Sequence, residues 1–250
     1  MITNKDAKFI KSLQLKKYRE REKSFVVEGG KNVIELLGSS LKIRRLFVTQ
    51  RFLEENGQKM AEGNTRFEIV TEKDLVKAGS FQTNAFALAV VQIPELPVLK
   101  IENRHVLAFE NLQDPGNLGT IIRLADWYGF SHIVCSPDSV DAYNPKVISA
   151  SMGSFARIRV YYENLPDFIN QSDLPVYGAV LSGESIHETS FEDKGILLFG
   201  NESQGISSGL VPFITNPVKI PGFGKAESLN VAIATAVFCD NLRRVFPISP

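Results

Sequence analysis

With 250 residues the chain can hold one large domain or two of ordinary size. Its 44% hydrophobic and 22% charged residues match a soluble globular protein, and no apolar run approaches the ~18 residues of a membrane span. The 28 Lys and Arg are balanced by 28 Asp and Glu, which excludes a uniformly basic nucleic-acid binder and leaves only local charge to consider.

The first 23 residues are lysine-rich and lack the apolar core of a secretory signal. Lys5, Lys8, Lys11, Lys16, Lys17, Arg19, Arg21 and Lys23 outnumber Asp6, Glu20 and Glu22 there, either as a solvated helix face or as a phosphate-binding surface. Phe9, Ile10 and Leu13 predict a helix capped by Thr3 or Asn4. Strands are predicted at 25–27, 45–49, 67–70 and 87–92, and helices at 31–37, 53–62 and 72–78. Pro94-Glu95-Leu96-Pro97 resists regular structure and reads as a linker after an α/β domain spanning 1–95.

From residue 104 to 250 strands and helices alternate again, predicting a second α/β domain around a mostly parallel sheet. Its strands are predicted at 105–109, 132–136, 157–161, 176–181, 195–199 and 217–220, and its helices at 118–128, 145–152, 165–170 and 228–245. Cys135 and Cys239 are read as two buried thiols in a reduced, cytoplasmic protein. His105, His132 and His187 are not spaced as metal ligands, so no metal is expected.

Three segments have the composition of a site. Glu110 to Arg123 follows a strand and enters a helix, with Asn117 as a possible cap. Leu198 to Ile206 ends an apolar strand in Gly200-Asn201-Glu202-Ser203-Gln204-Gly205, where ligands collect at the strand's carboxyl edge. Ile220 to Val231 is a glycine-rich loop leading into a helix, with Ser228 as the expected N-cap. The glycine spacings fit neither a dinucleotide fingerprint, nor a P-loop, nor a nucleophile elbow.

In this order the three segments resemble the three motifs of the SpoU (TrmH) family of RNA methyltransferases: Asn117 to Arg123, Gly200 to Gly205, and Ile220 to Val231. Phe25-Val26-Val27-Glu28-Gly29 is similar to the substrate-binding domain that often precedes this catalytic domain. The resemblance implies a C-terminal α/β trefoil-knot (SPOUT) domain behind a smaller N-terminal α/β domain of ribosomal L30e-like type. It implies a homodimer and S-adenosyl-L-methionine as cofactor, and the shortness of the apolar runs already leads to no membrane attachment being expected. It places Asn117, Arg123, Glu202, Ser228 and Asn230 in the catalytic set, and Gly200, Ile220 and Leu229 at the cofactor. The implied reaction is methylation of a ribose 2′-hydroxyl in structured RNA, ribosomal RNA ahead of transfer RNA. The rivals are base methylation and non-catalytic RNA binding by the same fold. Asn117 and Glu202 are expected to hold Arg123 and the hydroxyl in place. A side chain at position 200 is expected to fill space the cofactor needs. Gly222-Phe223 departs from the family, where many members carry Met at the first of these positions.

Overall fold

The structure, a computed structural model, describes residues 1–62, 65–99 and 105–247. The expected limits of the second domain, Arg104 and Pro250, lie outside the described residues. In chain order the elements are α1 (Asn4–Ser12), α2 (Lys16–Glu22), β1 (Ser24–Glu28), α3 (Gly30–Leu37), β2 (Ile43–Val48), α4 (Gln50–Glu62), β3 (Glu68–Ile69), α5 (Glu72–Ala78) and β4 (Ala87–Gln92). There follow β5 (His105–Phe109), α6 (Pro115–Trp127), β6 (His132–Cys135), α7 (Pro145–Ala150), β7 (Arg159–Tyr162), α8 (Leu165–Ser172), β8 (Val176–Ser185), β9 (Gly195–Phe199), β10 (Asn216–Lys219) and α9 (Val231–Val245). By packing, the chain forms two compact units. Met1–Glu95 and Asp141–Arg157 make one; Leu96–Val140 and Ile158–Pro250 make the other.

The first unit is built on a sheet of order β1-β4-β2-β3, with β4 antiparallel to both β1 and β2, and β3 parallel to β2. Alternation along the strands sends side chains to both faces. Phe25, Val27, Leu46 and Val48 pack against Val33, Leu36, Phe52 and Met60 of α3 and α4, together with Ile148 and Phe155. Val26, Phe47, Leu88 and Val90 face the opposite way, onto Ile10 and Leu13 at α1 and Leu75 of α5. Thr3, not Asn4, caps α1, accepting the Asp6 N–H. Arg19 is buried. Its guanidinium donates to Asp141 at 2.6 and 2.8 Å and to the carbonyls of Leu13 and Gln14 at 2.8 Å. One cation of the basic run is therefore an internal strut that ties Asp141–Arg157 into this unit.

The second unit carries a six-stranded sheet of order β10-β8-β9-β5-β6-β7, parallel at every pairing. The central strands β5 and β9 are buried along their whole length, as a parallel sheet covered on both faces requires. The chain runs outward from β5 through β6 to β7, then crosses back so that β9 lies between β8 and β5. The order therefore reverses beside β5, and the carboxyl ends of β5 and β9 flank a topological switch point, where such sheets bind ligands. Leu96, from the expected linker, packs with Leu99 against this unit's core. Cys135 and Cys239 are buried free thiols, and burial pushes both up to about 12.

Candidate active site

The three segments converge at that switch point. After β5, Asp114 takes an extended conformation and caps α6, its carboxylate accepting the Asn117 N–H at 2.7 Å. The helix thus begins at Pro115, and Asn117 is not its cap. That displacement frees the Asn117 side chain for another partner. After β9, Asn201 organises a tight loop. Its backbone pairs both ways with Gly205, at 2.9 and 3.0 Å, and its Oδ1 accepts from Ser203 N and Gln204 N. Its Nδ2 donates 2.8 Å to the Asn111 carbonyl, fastening the loop to the end of β5. Asn201 lies inside the second motif but is not among the expected site residues, although an asparagine leaving a strand into a tight loop is an Asx-turn signal.

The third segment ends in a cap. Asn230, not Ser228, caps α9, its Oδ1 accepting from Ala232 N at 2.9 Å and Ile233 N at 3.4 Å. A carboxamide has one accepting and one donating end, so this cap fixes everything that follows. Asn230 Nδ2 must donate, and it does so to Asn117 Oδ1 at 2.9 Å. Asn117 Nδ2 must then donate in turn, and it does so to Glu202 Oε1 at 3.1 Å. The Glu202 carboxylate also receives Asp114 N and Asn201 Nδ2, each at 3.4 Å. One residue from each segment thus forms a directed chain, Asn230 to Asn117 to Glu202, ending on an exposed carboxylate.

A cavity of about 1060 Å³ opens beside this chain. Gly200, Ile220 and Leu229, the three residues expected at the cofactor, all line it, as do Glu202 and Ser228. Val180, Val218 and Phe238 give it apolar walls. Ala179, Val180 and Leu181 reach it because the β8–β10 register jumps there: Pro217 pairs with Gly178, but Val218 pairs with Glu184. Glu202, Lys219 and Glu227 are the ionisable side chains of the lining.

Two expectations change. A Cβ on Gly200 would stand 2.0 Å from the Gly205 carbonyl carbon and 2.2 Å from Ile206 N. The missing side chain makes room for the loop's own backbone, so the reason for glycine here is the loop and not the ligand. Arg123 is exposed, does not line the cavity, and has no hydrogen bond or ion pair among the described residues. Asn117 and Glu202 do not hold it. Six residues along an α-helix is about 600°, which leaves Arg123 roughly 120° around α6 from Asn117.

The chain is similar to known proteins over nearly its whole length. Residues 104–240 match the model of the SpoU rRNA Methylase family, and residues 4–85 match that of the MRM3-like substrate binding domain. The chain is 32% identical over 249 residues to the 23S rRNA (guanosine(2553)-2′-O)-methyltransferase RlmP of Bacillus subtilis, covering 96% of each. It is 27% identical to the 23S rRNA (uridine(2479)-2′-O)-methyltransferase of Streptomyces viridochromogenes, covering 97% of this chain and 92% of that one. Among solved structures, the AdoMet-bound rRNA methyltransferase from Sinorhizobium meliloti superposes with a TM-score of 0.86 at 30% identity. That superposition covers 100% of this chain and 97% of that one.

Proposed function

The chain belongs to the SpoU rRNA methylase family, and from that premise we propose that it is an S-adenosyl-L-methionine-dependent RNA 2′-O-methyltransferase acting on large-subunit ribosomal RNA. The observation that carries the reading is the directed chain Asn230–Asn117–Glu202, one residue from each motif, at the rim of the 1060 Å³ cavity. The cavity fits the cofactor. It exceeds the roughly 300–1,000 Å³ of ordinary ligand pockets, offers apolar walls to an adenine, and holds two carboxylates to one ammonium for a cationic sulfonium. When bound, S-adenosylmethionine supplies a methyl group whose departure returns an electron pair to positive sulfur. The harder event is loss of the proton from a weakly acidic ribose hydroxyl.

In this reading Glu202, with its geometry set by Asn117, accepts a hydrogen bond from the incoming ribose hydroxyl and takes up its proton as the oxygen is methylated, and Ser228 and Asn230 complete the rim. Arg123 supplies positive charge to the developing alkoxide and does not act as a base, because a guanidinium stays protonated. Its direction around α6 suits the site of a second copy. Trp127, one turn on along the same face, is 82% exposed, an indole suited to a protein interface. The chain acts as a homodimer, with this face of α6 covered by the partner. The trefoil knot belongs to the same reading, supported by the match of residues 104–240 to the family model. Residues 1–95 serve as the RNA-binding domain and the segment from 104 to 250 as the methyltransferase domain, supported by the two family matches. Among the described residues no helix is long and apolar enough to cross a membrane.

The test is incubation of the purified chain with radiolabelled S-adenosylmethionine and unmodified transcripts of large-subunit ribosomal RNA and of transfer RNAs. Label entering the ribosomal transcript is expected. Label confined to transfer RNA would correct the substrate, and label in neither would overturn the reading.

A further inference from the structure

Phe223 is 96% exposed, a benzyl side chain standing in water at the open side of the cavity. We propose that Phe223 is a stacking platform for a nucleobase of the substrate RNA, the one attached to the methylated ribose or its immediate neighbour. The inference rests on the RNA methyltransferase reading above.

The segment that carries the ring is unlike an ordinary surface loop. Residues 222–230 are exposed without interruption, yet both ends are fixed. One end leaves β10, and the other is the Asn230 cap, bonded to Asn117 at 2.9 Å. The ring is therefore carried on the same loop as Asn230, the start of the polar chain, while nothing in its own unit covers it. Gly222 and Gly224 flank it, and a Cβ at either would meet nothing within 4 Å. Both faces of the ring are open to a flat partner.

Phe223 borders the open side of the cavity, but with 96% of the side chain exposed most of its surface faces solvent, and Val180, Val218 and Phe238 supply the apolar walls. That outward surface is open to the RNA, which in the proposed reaction comes to this rim to meet the cofactor. Exposed Lys225, two residues on, adds a cation within the same loop for an adjoining phosphate. A phenyl ring reads the π-face common to every base, so it would hold the nucleotide without dictating its identity.

The test uses the full-length chain and a transcript of large-subunit ribosomal RNA, with Phe223→Ala, Phe223→Leu and Phe223→Trp. The loss of one base stack corresponds to about 10- to 100-fold in RNA affinity. The alanine variant should therefore raise the KM for the transcript, and its Kd by filter binding, by that factor. Leucine should stay impaired, since it is apolar but has no π-face, and tryptophan should restore binding. Affinity for S-adenosylmethionine by calorimetry and the mass in solution by light scattering should not move. Wild-type RNA affinity in the alanine variant overturns the proposal. So does a parallel loss of cofactor affinity, which would seat the ring on the adenine, or a change of mass, which would seat it on a second copy. Equal binding by the leucine variant and wild type would reduce the ring to an apolar contact and also overturn it. Filter binding separates this inference from the reading it rests on. A transcript that binds through Phe223 but gains no methyl group refutes methyl transfer and leaves the stacking intact.

Discussion

At the scale of single residues the site is governed by which end of each carboxamide is already committed. Asn230 spends its oxygen on α9, so its nitrogen must donate, and the order propagates to Glu202. Gly200 is governed by space. Its α-carbon lies against Gly205 and Ile206, whose backbone cannot retreat without breaking the two Asn201–Gly205 hydrogen bonds. Gly200→Val should therefore disrupt the 201–205 loop itself. Cofactor binding should disappear together with a lowered melting temperature, and calorimetric titration beside thermal denaturation checks this. A variant with wild-type stability that had lost only the cofactor would show that the ligand, not the loop, requires glycine. The residue types of the site were legible in the sequence because they sit in three short motifs. The surroundings of Arg123 were not, because spacing along a helix says where a side chain leaves the axis and nothing about what lies opposite it.

At the scale of elements, caps and packing decided where the sequence was misread. Ser228 has the right chemistry for an N-cap, and so does Asn117, but Asn230 and Asp114 fill those roles. Several Asx and Ser residues crowd each helix start, and only the incoming chain direction selects among them. Helix α2 is absent from the predicted elements. Its sequence, Lys-Lys-Tyr-Arg-Glu-Arg-Glu, carries no apolar stripe, and its buried position is filled by Arg19 held on Asp141 and two carbonyls. The strands, by contrast, fall within a few residues of their predicted positions, since runs as short as β5 and β9, each five residues long, are too short for a helix of ordinary length. Asn230→Ala tests the dual role of the α9 cap. It should cost about 1 kcal/mol of stability, the usual value of a lost N-cap, visible in denaturant unfolding. It should also slow methyl transfer by far more than that loss implies, because Asn117 loses its orienting donor. A purely thermodynamic effect with normal turnover would remove Asn230 from the catalytic set.

At the scale of the whole molecule, the segment Asp141–Arg157 complicates a division at the Pro94–Pro97 stretch. Ile148 and Phe155 belong to the core of the first unit, and Asp141 is the partner of buried Arg19. Removing residues 1–95 would strip Ile148 and Phe155 of their covering strands and leave Asp141 without its cation. The truncated chain should aggregate or melt well below the full chain. The same truncation with Ile148 and Phe155 changed to Ser should recover solubility and still bind S-adenosylmethionine, while losing most RNA affinity. Light scattering, calorimetry and filter binding read the three properties. A truncated chain that bound RNA as tightly as the intact protein would show that the first unit is not the RNA-binding module.

The most direct measurement is single-turnover methyl transfer to the ribosomal transcript by the wild-type protein and by Arg123→Ala, with the product digested to nucleosides. The wild type should yield a nucleoside methylated on the ribose 2′-oxygen. Arg123→Ala should fold normally, since the side chain is exposed and unpaired among the described residues, and should be slower by on the order of 10²–10³. A methyl group on the base, or an Arg123→Ala variant that transfers at the wild-type rate, would contradict the account.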